Sequence, residues 1–303
     1  MSGIDTQNIR LISKAISNIE NDSALKEPLL LNLKKKNKSY RIGITGPPGS
    51  GKSTIVNHLI KCFREDNKKV AVLLVDPSSP FTKGSVLGDR IRVNQFHQDS
   101  NVYIRSIPSK DSTGGLSKNI SQISDILESA KFDVILYETV GVGQVEIDVV
   151  KEVDTVLLTL VPESGDDIQM MKAGILEIAD IYIINKYDRK DSDRLYFSLQ
   201  NMLEINLDQM EWKPNIVKTI ASKNKGIQEL YKIVCKHYKY LGKTKSINKY
   251  NLRYSNTVDS LLAEKFKVKF WNDKNKKKLL NELNKDFKSQ LTPYNFVKKI
   301  LND

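Results

Sequence analysis

Six short apolar runs punctuate the first three quarters of the chain: Arg41–Thr45, Val70–Val75, Val134–Tyr137, Thr155–Val161, Ile181–Ile184 and Ile216–Ile220. Each is continuous rather than alternating, which suits strands buried on both faces of a mainly parallel sheet. Longer amphipathic stretches separate the runs, and strand alternating with helix gives a three-layer α/β domain. A weaker run at Val102–Ile104 adds a candidate strand. Residues 7–33 read as helical, with Ile9, Leu11, Ile12, Ile16 and Ile19 near helical spacing, and the charged stretch Lys34–Lys38 ends that pattern. After about residue 241 the strand pattern stops. Residues 250–301 read as two or three helices broken near Asn272–Asp273 and Thr292–Pro293, with Pro293 in a first turn capped by Thr292. The expected organisation is a helical extension over 1–38, an α/β domain over 39–241, and a helical extension over 242–303.

At 303 residues with 40 % hydrophobic content, the chain can bury a full core. Its apolar runs all fall short of the ~18 residues of a membrane helix. The acidic, Arg-poor start lacks the apolar region of a secretory signal. A cytoplasmic location is expected, with a mitochondrial matrix as the alternative. Cys62 and Cys235 stand in no metal or redox spacing and read as two reduced thiols, and His58, His97 and His237 are scattered. The net charge of +12 is uneven: residues 213–303 hold 22 Lys/Arg against 7 Asp/Glu. That basic excess reads first as a solvated helical surface, and second as a patch for nucleic acid or an acidic partner.

The strongest motif is Gly46-Pro47-Pro48-Gly49-Ser50-Gly51-Lys52-Ser53, continued by Thr54, between a candidate strand and a candidate helix. This is the context of a phosphate-binding loop. Glycines let the backbone approach phosphate oxygens closely, and successive amides with the helix N-terminus face the anion. Lys52 is expected at the β- and γ-phosphates and the Ser53 hydroxyl on Mg²⁺. The run Val134–Tyr137 ends in Glu138-Thr139-Val140-Gly141, which places a carboxylate on the metal side of the site and an amide, at Gly141, able to sense the γ-phosphate. Where many regulatory GTPases carry a water-orienting Gln, this chain has Val142, with Gln144 two places on, so slow unaided hydrolysis is expected. Asp76 ends the second run, and Asp89 follows in Gly88-Asp89-Arg90. Both are candidates for Mg²⁺ or water contact in the ligand crevice.

The run Ile181–Ile184 leads into Asn185-Lys186-Tyr187-Asp188. Behind a phosphate loop this spacing reads guanine. Asp188 accepts from the N1 and N2 donors that adenine cannot supply, and unpaired buried polar groups reject the wrong base. Asn185 braces the loop and the Lys186 stem covers the ring. A further contact is expected from a backbone amide near Ala221-Ser222-Lys223. The expected ligands are therefore GTP or GDP with Mg²⁺.

These segments together resemble the MeaB/ArgK-type P-loop GTPases, which include the methylmalonyl-CoA mutase-associated GTPase. The resemblance covers roughly residues 40–240 and rests on Gly46–Thr54, Asp76–Pro80, 84–89 and Glu138–Gln144. It continues through 165–169, 172–175 and 177–180 to Asn185–Asp188. It implies a P-loop GTPase domain with helical extensions and a homodimer built largely through the C-terminal helices. It implies a partner, an adenosylcobalamin-dependent acyl-CoA mutase, whose cofactor loading and protection are gated by GTP. It places Asp76 and Asp89 in a first switch, Glu138–Gln144 in a second, and Lys172 in a further segment facing the partner. Lys83, Lys110-Asp111, Val145 and Ile220 depart from the usual family residues. Two other readings stand beside this one. A nickel-inserting GTPase would need thiolate or imidazole ligands, against which the scattered Cys and His argue. A nucleic-acid-binding GTPase would use the basic C-terminal third.

Overall fold

The computed structural model describes residues 8–34, 38–77, 96, 98–109, 119–139, 150–162, 178–206 and 211–302. They form two compact units, one up to Lys249 and one from Tyr250 onward.

In the first unit, helices α1 (Ile9–Glu20) and α2 (Lys26–Leu31) precede strand β1 (Tyr40–Thr45). The stretch expected to be helical over 7–33 holds two helices, with Asp22 in a left-handed backbone (φ 47°) just past the first. Next come α3 (Lys52–Glu65), β2 (Val70–Pro77), β3 (Val102–Ser109), α4 (Asn119–Ser129) and β4 (Val134–Thr139). Then follow β5 (Thr155–Leu160), β6 (Ile181–Ile184), α5 (Ser192–Asn206), β7 (Asn215–Lys218) and the start of a long helix, α6 (Ile227–Phe270). Gly242 interrupts α6 with non-helical angles.

The seven strands form one sheet in the order β3-β2-β4-β1-β5-β6-β7, every pairing parallel. All seven apolar runs of the sequence are strands. Their continuity has the expected cause, since each strand alternates between two buried faces. Ile42, Ile44, Val134 and Leu136 join α3 and the start of α6 in one core. Ile135, Tyr137, Leu158 and Ile184 join α1, α4 and α5 in the other. From α1, Ile12, Ile16 and Ile19 are at most 1 % exposed in that second core, each contributing on the order of 2 kcal/mol through burial.

Sheet topology fixes where a ligand can sit. From β1 the chain moves to β2 on one side, and later reaches β5 on the other, so β1 is the switch point between β4 and β5. Ligands of open parallel sheets bind beyond the strand C-termini at such a point. The opposite end of β1 is closed by charge. The Arg41 side chain, 2 % exposed, meets Glu128 at 2.9 Å, Glu152 at 3.4 Å and Asp125 at 3.6 Å.

In the second unit, α6 continues to Phe270. Helix α7 (Asp273–Leu283) follows an Asn272 cap, and α8 (Pro293–Asn302) begins with the expected proline. Among the described residues, no helix is long and apolar enough to cross a membrane.

Candidate nucleotide site

The loop between β1 and α3 is shaped by glycines its neighbours require. Gly46 has φ +137°, and a Cβ there would lie 2.0 Å from the Thr159 carbonyl oxygen of β5. Gly51 has φ +92°, and a Cβ there would lie 2.3 Å from Asn185 Nδ2. Side chains are therefore excluded at both, and the loop backbone stays within reach of a phosphate chain. Pro47 and Ser50 are buried while Pro48 and Gly49 are exposed. Lys52 opens α3, is 6 % exposed, and donates from Nζ to the carbonyls of Gly46 (2.6 Å) and Pro47 (2.9 Å). Its ammonium thus lies at the mouth of the loop, held by two carbonyls that phosphate oxygens can replace. The buried Ser50 hydroxyl has no hydrogen-bond partner. An unpaired buried hydroxyl is costly, and an anion cradled by this loop would satisfy it.

Glu138, near the end of β4, is 3 % exposed, and its Oε1 accepts from Ser53 Oγ at 2.5 Å. A hydroxyl and a carboxylate converge beside the phosphate loop. Such hard oxygens suit Mg²⁺, which takes one or two protein ligands and fills its octahedron with phosphate oxygens and water. These residues fit the metal expected from the sequence. Among the described residues, no three His, Cys, Asp or Glu cluster to hold a metal by themselves.

The base-side residues gather at the ends of β6 and β7. Asn185 is 3 % exposed and fully engaged. It donates from Nδ2 to the Ser50 carbonyl (2.7 Å), and its Oδ1 accepts from Thr219 Oγ1 (3.1 Å) and from the Ala221 amide (3.0 Å). The backbone of Lys186 is left-handed (φ 57°), turning the chain so that Asp188 emerges exposed. Lys223 Nζ donates to Asp188 Oδ2 at 2.8 Å, and this contact holds the carboxyl below its ordinary range. Asp188 is consequently an ionised double acceptor at neutral pH, the form that can receive two donors from one ring edge. The Ala221 amide, expected near the base, donates instead to Asn185 Oδ1. The Ala221 carbonyl receives His58 Nε2 of α3 at 2.8 Å.

Gly46 to Thr54, Glu138, Asn185, Lys186, Asp188 and Ala221 thus meet around one crevice. Thr54 itself is exposed on α3. Asp76 is described by its backbone alone, at the end of β2. Asp89, Gly141, Gln144 and Lys172 lie outside the described residues, as do Lys83, Lys110-Asp111 and Val145. Three side-chain contacts were not read from the sequence, those of Thr219, Lys223 and His58. Thr219 follows strand β7 as many threonines follow strands, and Lys223 is one lysine among many. The partner of His58 is 163 residues away.

A seven-stranded parallel sheet with this loop at its switch point, and the Asn185–Asp188 turn two strands away, is that of a P-loop GTPase. Residues 12–275 match the family model for the methylmalonyl-CoA mutase-associated GTPase MeaB. The chain belongs to that family. It is 42 % identical over 259 residues to a Pyrococcus horikoshii protein named "Putative GTPase", spanning 84 % of this chain and 82 % of that one. It is 37 % identical over 199 residues to the GTPase ArgK of Escherichia coli, covering 64 % and 60 % of the two chains. To the mitochondrial methylmalonic aciduria type A homolog of Mus musculus it is 36 % identical over 212 residues, 69 % of this chain and 51 % of that one. The fold is also that of a crystal structure titled LAO/AO transport system kinase, with a TM-score of 0.67 at 24 % identity, covering 98 % and 93 % of the chains.

Proposed function

We propose that this GTPase binds GTP with Mg²⁺ and uses its hydrolysis to gate loading and protection of adenosylcobalamin in an acyl-CoA mutase, acting in the cytoplasm. The observation that carries the nucleotide half is the bridge made by Asn185, which joins the phosphate loop at Ser50 to the turn at Ala221. The mutase half rests on family membership.

In this reading Lys52 exchanges its loop carbonyls for β- and γ-phosphate oxygens, and Ser53 with Glu138 holds the metal side. Bound Mg²⁺ neutralises charge on the phosphates. Asp188 pairs with the N1 and N2 donors of guanine. Asp76, Asp89, Gly141, Gln144 and Lys172 act in the segments that respond to the γ-phosphate. GTP and GDP differ by that group, so contacts made in one state are released in the other. The C-terminal helices serve a homodimer, for which exposed Leu262, Phe266, Val268 and Leu283 offer apolar surface.

The test is capture of partners from the native cell with the full chain loaded with GDP or with a non-hydrolysable GTP analogue. A cobalamin-dependent mutase retained with nucleotide-dependent affinity is expected. Mutase binding absent in every nucleotide state would sink the reading.

A further inference from the structure

Three hydrogen bonds and the covalent chain from Ser50 to His58 close a ring through the site. Helix α3 begins at Lys52 and carries His58 six residues on. His58 Nε2 bonds the Ala221 carbonyl at 2.8 Å. The Ala221 amide bonds Asn185 Oδ1 at 3.0 Å, and Asn185 Nδ2 bonds the Ser50 carbonyl at 2.7 Å. Ser50 lies two residues before Lys52, so the ring returns to the helix that carries His58. The carbonyl of Ala221 only accepts, so Nε2 of His58 carries the proton and donates.

We propose that His58 is a positioning residue of the guanine subsite, tying the phosphate-binding helix to the turn at Ala221–Lys223. This rests on the site assignment given above. Asn185 Oδ1 holds the Ala221 amide. His58 bonds the Ala221 carbonyl, which also closes the turn by accepting from the Asn224 amide at 3.1 Å, so the turn that bears Lys223 is shaped by its own backbone bonds and tied to α3 by His58. Lys223 in turn holds Asp188 Oδ2. Removal of His58 unties the turn from α3 without touching the phosphate loop. It therefore loosens recognition of the base and leaves the grip on phosphate intact.

The experiment is calorimetry on the full chain with Mg²⁺, using GDP, ADP and inorganic tripolyphosphate, which has no base. The wild-type protein serves as the control on the site assignment: equal affinity for GDP and ADP there defeats that assignment. Given a guanine preference, His58→Ala is expected to weaken GDP about fivefold, the size of one hydrogen bond. Tripolyphosphate should be unchanged, and the GDP-over-ADP preference should fall by the same factor. His58→Gln, whose amide reaches the same carbonyl, should restore GDP affinity. GDP binding unaffected in His58→Ala, or GDP and tripolyphosphate weakened alike, overturns the proposal. If the alanine variant does not fold, His58→Asn, too short to reach, is compared with His58→Gln. Equal GDP affinity in those two also overturns it.

Discussion

The Asn185 side chain reaches across to the Ser50 carbonyl at 2.7 Å, so the turn after β6 is bolted to the glycine-rich loop after β1. The same amide nitrogen would lie 2.3 Å from a Cβ at position 51. Asn185→Ala therefore strands the Ser50 carbonyl, the Thr219 hydroxyl and the Ala221 amide, each at a cost of about 1–3 kcal/mol if left unpaired. We expect GTP affinity to fall about a hundredfold, since each 1.4 kcal/mol is tenfold. Calorimetry with GTP measures this, and affinity within twofold of wild type would contradict the bridge.

Asp188 carries an ionised carboxylate that only accepts hydrogen bonds. Xanthine replaces the guanine N2 donor with a carbonyl acceptor. Asp188→Asn supplies a donor there, so the variant is expected to prefer XTP over GTP, reversing the wild-type order. Competition of both nucleotides against a fluorescent guanine nucleotide would show it. A variant that still prefers GTP would show that position 188 does not read the base.

Ser53 and Glu138 meet at 2.5 Å. Glu138→Gln keeps the shape and removes the charge. The Mg²⁺ concentration needed for half-maximal GTP affinity should rise about tenfold, the scale of losing one charged ligand contact. Nucleotide binding without Mg²⁺ should stay unchanged. Wild-type protein alone should turn over well below about 10 s⁻¹, a typical enzyme rate, because Val142 cannot orient water.

His237, 1 % exposed, shares a hydrogen bond of 2.7 Å with Thr155 and lies 3.4 Å from Asp180, with Asp154, Lys249 and Tyr40 close by. Burial, reinforced by Lys249, pushes its imidazole down to about 4. A depressed folded value means that stability is complete above the unfolded value of about 6.5 and drains away as pH falls towards 4. At 1.36 kcal/mol per unit the loss approaches about 3 kcal/mol. Asp180, pushed up by burial, works in the opposite sense and offsets part of it. Urea midpoints between pH 7 and pH 4 should therefore fall in the wild type and flatten in His237→Asn, which keeps a partner for Thr155. Trp212, whose ring centroid lies 4.6 Å from that of His237, reports the same protonation by fluorescence. A flat wild-type profile would refute this account.

Arg41 and Glu128 are 2 % and 1 % exposed. Removing one partner of a buried pair leaves an uncompensated charge, costing about 3–5 kcal/mol. Arg41→Ala should lose that much stability in urea unfolding. The double variant Arg41→Met with Glu128→Leu should recover most of it.

The strands were legible in the sequence because each is buried on both faces, which makes it continuously apolar. Gly46–Ser53 and Asn185–Asp188 stand out in the sequence because a backbone turning through left-handed glycines, and an Asn-Lys-x-Asp run at a strand end, admit few residue types. Other features left little local trace. Arg41 sits inside an apolar run, and nothing near it in the chain names Glu128 or Glu152 as its partners. The break at Asp22 depends on one backbone angle that an aspartate tolerates without announcing it. His58 and Lys223 look like ordinary polar positions on a helix and a turn.

The sequence by itself determined the order of strands and helices, the glycine-rich turn after β1 and the Asn185–Asp188 turn after β6, because patterning and steric demand act over a few neighbouring residues. Only the tertiary structure decided that β1 lies between β4 and β5, which brings the ends of β1, β4, β6 and β7 to one crevice. It alone assigned Asn185, His58 and Ala221 to each other, because hydrogen bonds between residues far apart in the chain exist only once the parallel sheet has brought their strands and helices together.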